Sequence, residues 1–67
     1  MSTAENIKVA REFKGLSQIK LAKRTKLLTQ SQISKIEKGN RKITEKDLLV
    51  ISKALGIEVG ELLGTCI

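Results

Sequence analysis

Residues Ser17–Gly39, SQIKLAKRTKLLTQSQISKIEKG, decide the fold. They read as two short helices joined by a tight connection. Ser17 is placed to cap the first helix and Thr29 the second, because a Ser or Thr hydroxyl there accepts an otherwise unpaired first-turn N–H. Leu16 with Leu21, and Leu28 with Ile33, have the spacing of a hydrophobic staple across each helix start. Gly39 suits the left-handed residue that ends the second helix. At ~100° per residue, Gln30, Ser31, Ser34, Lys35 and Lys38 fall within one arc of about 140° on that helix. Ile33 and Ile36 lie on the far side.

The same punctuation runs through the rest of the chain. Ser2 and Glu5 are spaced as a capping box opening a helix through about Lys14, which Gly15 ends. Ile7, Ala10, Arg11 and Lys14 share one side of it, and Val9 with Phe13 form a second stripe, read as an edge of the core or a partner contact. In the next helix Leu21 and Ala22 face inward, and Lys20, Lys23 and Arg24 outward. Thr29 with Gln32 and Thr44 with Asp47 form two further boxes. Leu48, Ile51 and Leu55 mark the buried face of the fourth helix, and Gly56 stops it. A fifth, weak helix is expected near Val59 to Leu63, because Glu58 is a poor cap and Gly60 costs about 1 kcal/mol in a helix interior. The expectation is an all-α, five-helix bundle in one domain over residues 1–67.

Composition narrows the chemistry. The 67 residues carry 13 Lys and Arg against seven Asp and Glu, a formal charge of +6. That excess suggests a polyanionic partner. Phe13 is the one aromatic residue, so an aliphatic core is expected, and the absence of Pro with Gly falling between the periodic segments favours an all-helical chain. No His and a lone Cys66 leave little metal or redox chemistry, no metal or cofactor is expected, and a reducing, cytoplasmic setting fits. No apolar run reaches the ~18 residues of a membrane span, and the N-terminus lacks a signal-peptide pattern. No paired-carboxylate site and no Gly-rich phosphate loop can be found, so an enzyme is not expected.

The polar arc of the second quoted helix holds an amide, hydroxyls and ammonium groups, and no carboxylate. An amide can pair with adenine N6 and N7, a lysine can reach guanine O6 and N7, and hydroxyls serve several bases. An ordinary solvated face usually carries Glu. Gln18 stands in the first turn of its helix, where N–H groups and the positive helix end can hold a phosphate. Lys38, Arg41 and Lys42 cluster just after the arc. Together these features point to double-stranded DNA.

KGLSQ at Lys14–Gln18, LAK at Leu21–Lys23, SQISKIEKG at Ser31–Gly39 and ALGI at Ala54–Ile57 resemble the DNA-binding domain of phage repressors and Cro proteins, the XRE family. The resemblance runs from about Ile7 to Leu63. It implies a lambda-repressor-like bundle containing a helix-turn-helix, which binds operator DNA as a dimer. By position it implies base contacts from Thr29, Gln30, Ser31, Ser34 and Lys35. Phosphate contacts would come from Ser17, Gln18, Lys38, Asn40, Arg41 and Lys42. Arg11 and Glu37 match a pair that bridges the first and third helices in similar proteins. Val59, Leu62 and Ile67 are the implied dimer contacts, although core packing competes for Leu62. The chain departs from the family at Thr25, Lys26, Leu27, Leu28, where the usual turn has a Gly and is one residue shorter. The extra residue either extends the preceding helix or bulges the turn.

The function expected is a sequence-specific transcriptional regulator controlled by its own concentration or by a regulatory protein partner. A phage-type repressor or a restriction–modification controller both fit. The alternative is an antitoxin or co-activator module whose main partner is a protein, served by Val9, Phe13 and the apolar C-terminus.

Overall fold

The computed structural model describes residues 2–64. It is built from five helices: α1 (Thr3–Phe13), α2 (Gln18–Thr25), α3 (Gln30–Glu37), α4 (Glu45–Leu55) and α5 (Val59–Leu63). Four start where a hydroxyl stands ready. Ser2, Ser17, Thr29 and Thr44 each accept the N–H three residues on, at 3.2, 3.1, 3.1 and 3.1 Å. At Ser2, Thr29 and Thr44 the third helical residue reaches back to complete the box. Such a cap is worth about 1 kcal/mol, a real fraction of the stability of so small a domain. α5 has no side-chain cap on Glu58. It is held instead from α1, where the Asn6 amide donates to the Leu62 carbonyl at 2.9 Å.

Ile7, Leu21, Ile33, Ile36, Ile51 and Leu62 are fully buried, so every helix contributes to one aliphatic core. α2 packs on α3 and α4, while α1 closes over α3 and α5. Because α3 lies between α1 and α2, its two isoleucines anchor it from below and leave its polar arc outward.

The extra residue of the turn does not extend α2, which ends at Thr25. Lys26 takes a left-handed conformation, φ 61°, which glycine adopts more readily. The Thr25 hydroxyl donates to the Ala22 carbonyl at 2.8 Å and accepts the Leu28 N–H at 3.1 Å. Leu28 is thereby drawn into the core while Leu27 is left 64% exposed. The turn bulges, and the bulge is Leu27.

Two expectations need correction. Val9 and Phe13 are not a core edge: they are exposed, Phe13 at 87%. They lie about 200° and 240° around the helix from Ile7, on its opposite side. Leu62 is completely buried within the bundle, so its side chain is a core element and not a surface contact for a second copy. Ile67 and Cys66 lie outside the described residues, and Val59 is half-buried on α5.

Candidate DNA-binding surface

One side chain of the outward arc, that of Gln30, rests on a chain of hydrogen bonds that begins in the core. Arg11, buried on α1, donates through Nε to Glu37 Oε2 at 2.7 Å and through Nη2 to Oε1 at 3.0 Å. Its Nη1 donates to the Leu16 carbonyl at 2.7 Å, tying in the link to α2. The Glu37 side chain is only 2% exposed. The carboxylate's hydrogen bond raises the Arg11 pKa above its already high value, so the guanidinium stays charged at any relevant pH. Gln18 then donates to Glu37 Oε1 at 3.1 Å, and Gln30 donates to Gln18 Oε1 at 2.9 Å.

This order of donors has a chemical result. Gln30 gives one amide hydrogen to Gln18, and keeps its second hydrogen and its carbonyl. Those two groups are the pair that adenine N7 and N6 require. The carboxylate of α3 is neutralised and buried by the same chain, so it does not oppose a phosphate. Thr29, Gln30, Ser31 and Lys35 are exposed, and Ser34 is half-buried beside them.

The phosphate role expected at Gln18 rests on the helix start, and its side chain is committed to Glu37 and Gln30. What it still offers is backbone: the N–H groups of Gln18 and Ile19 have no intrahelical acceptor. Ser17, also exposed, uses its hydroxyl oxygen to cap Lys20 and can still donate its hydrogen. Beyond α3, Gly39 turns the chain at φ 76°, and the Asn40 N–H returns to the Lys35 carbonyl at 2.9 Å. That closure starts the loop carrying Asn40, Arg41 and Lys42. Lys38, Asn40 and Lys42 are exposed. Arg41 is half-buried and reaches Asp47 Oδ1 at 3.4 Å, so part of its charge is answered within the chain. The six-residue spacing gave no warning of this pair, since Asp47 reads in sequence only as a capping residue.

The helix starts differ in charge. The first turns of α2 and α3 hold no acidic residue. Those of α1, α4 and α5 hold Glu5, Glu45 with Asp47, and Glu61. Acidic residues normally stabilise helix starts, so their omission from the two helices of the turn leaves both positive ends open to an anion. Among the described residues, no group of His, Cys, Asp or Glu could hold a metal ion, and no helix is long and apolar enough to cross a membrane.

A family model described as helix-turn-helix matches residues 7–62. No curated protein and no solved structure matches the chain at a significant level.

Proposed function

The chain belongs to the helix-turn-helix family, as a DNA-binding regulator of the XRE type, and from that premise we propose that it binds operator DNA sequence-specifically as a homodimer and controls transcription there. The observation that carries the reading is the braced arc of α3: Gln30 fixed by Gln18, with no free carboxylate beside it. In this reading α3 lies in the major groove, and Thr29, Gln30, Ser31, Ser34 and Lys35 meet base edges. Ser17, the α2 N-terminus at Gln18, Lys38, Asn40, Arg41 and Lys42 hold phosphates on either side. Phosphate contacts supply most of the affinity and its salt dependence, and the α3 arc supplies discrimination. Val59 and Ile67 are the dimer contacts that remain after Leu62 is assigned to the core.

Selection of bound sites from random duplex DNA at two salt concentrations tests this reading. The expected result is an enriched palindrome with half-sites one helical turn apart, about 34 Å centre to centre. Affinity should fall steeply with salt. Failure to enrich any sequence would overturn specific recognition, and an enriched single half-site would overturn the dimer.

A further inference from the structure

On the side of the bundle where the turn meets α4 lies an open groove of about 420 Å³. Leu27 and Leu49 stand in it 64% and 55% exposed, and Ala54 is part of its lining. Arg24, Lys46 and Lys53 also line it, and none of the residues lining it carries a carboxylate. The side chains of Arg24, Lys46 and Lys53 make no hydrogen bond or ion pair among the described residues, whereas Thr25, also in the lining, is bonded to Ala22 and Leu28. Large apolar groups clustered in a concavity mark interaction sites more often than scattered ones do.

We propose that this groove docks a protein segment of one kind: an amphipathic helix that places apolar side chains between Leu27 and Leu49 and flanks them with carboxylates. The charge of the lining selects the occupant. Three cations of one sign over an apolar floor match an acidic flank and repel a basic one. A second copy of this chain is a poor occupant, because a two-fold contact would set the same three cations against each other. The groove uses none of the residues assigned to DNA, so the proposal stands independently of the operator reading.

The test uses the full chain, labelled with ¹⁵N, and a synthetic 16-residue helical peptide with Leu at 3–4 spacing and Glu at its other positions. The control peptide has Lys in place of Glu. The acidic peptide is expected to shift the amide signals of Leu27, Leu49 and Lys53. Leu27→Ser, Leu49→Ser and the pair Arg24→Gln with Lys53→Gln should each weaken it about tenfold, as for anchors of an interface. The leucines are exposed, so unchanged thermal midpoints should show that the variants fold. No binding, equal binding of the Lys peptide, or shifts centred on Phe13 would overturn the proposal. So would a mixed-sequence DNA duplex that shifts the same amides, since it would make the cations a phosphate contact.

Discussion

α3 and α4 begin alike and end up with different work. Both open on a threonine of the same backbone conformation, φ −89° with ψ 163° and 164°. Both Thr hydroxyls accept the third N–H at 3.1 Å. The return bond differs. In α3 the Thr29 N–H goes to the neutral amide of Gln32 at 2.9 Å, and in α4 the Thr44 N–H goes to the carboxylate of Asp47 at 3.2 Å. Asp47 is buried and also holds Arg41, so α4 is stabilised by charge at its start. α3 forgoes that charge and keeps its only acid, Glu37, at the opposite end under Arg11. Helix stability and anion affinity compete for the same N–H groups and the same dipole, and the two helices resolve the competition in opposite directions.

The comparison can be broken most forcefully at Glu37. Glu37→Ala leaves Arg11 buried without its partner and should destabilise the fold by about 3 kcal/mol, read as a lower denaturant midpoint. Replacing both residues by apolar ones of similar size should recover most of that loss; a double variant no more stable than the single would deny that the charge is what matters. Gln30→Ala comes next, with operator binding weakened by about 1–3 kcal/mol and one base position relaxed. An equal loss on all sequences would reduce Gln30 to a backbone contact.

Gln32→Glu tests the comparison directly. It gives α3 the charged box of α4, so the thermal midpoint should hold or rise. DNA affinity should fall by about 1 kcal/mol through repulsion of nearby phosphate. Undiminished affinity would mean that the neutral box has no bearing on DNA. Arg41→Ala should flatten the salt slope by roughly one unit and cost only about 0.5 kcal/mol of stability, because its pair with Asp47 is partly solvated. The smallest effect lies at α1. Bonds from the Ser2 N–H and then its hydroxyl lower the Glu5 pKa, so its contribution is present above the ordinary carboxylate range and vanishes as pH falls through the lowered value. Thermal melts of the native chain and Glu5→Ala should therefore converge on acidification. A gap that widens would contradict the assignment.

Much of this was legible in sequence because caps are local chemistry. Ser2, Ser17, Thr29 and Thr44 name their helix starts through residues three positions away, and Gly15, Gly39 and Gly56 name the ends. The outward arc of α3 follows from helical spacing alone. Long-range partners were harder. Nothing in the sequence pairs the Gln18 side chain with Glu37 and Gln30, and Arg41 reads as a free cation until Asp47 is seen beside it. For Val9 and Phe13 the sequence left a core edge and a partner contact open, and the angle of Phe13 from Ile7 puts it on the exposed side. The turn was undecidable for another reason: no propensity rule nominates Lys for a left-handed residue, and the Thr25 hydroxyl that makes it workable acts across three positions.

That hydroxyl also bears on how the molecule can change. It holds the end of α2 and the start of the approach to α3, and Leu27 lies outward of the ring it closes. A substitution at Leu27 alters what the exposed bulge presents and is absorbed by solvent, while the anchors of α3 at Leu28 and Ile33 stay in place. Mutational drift at the turn is thereby uncoupled from drift in α3. The two surfaces that share this short stretch of chain can be selected separately.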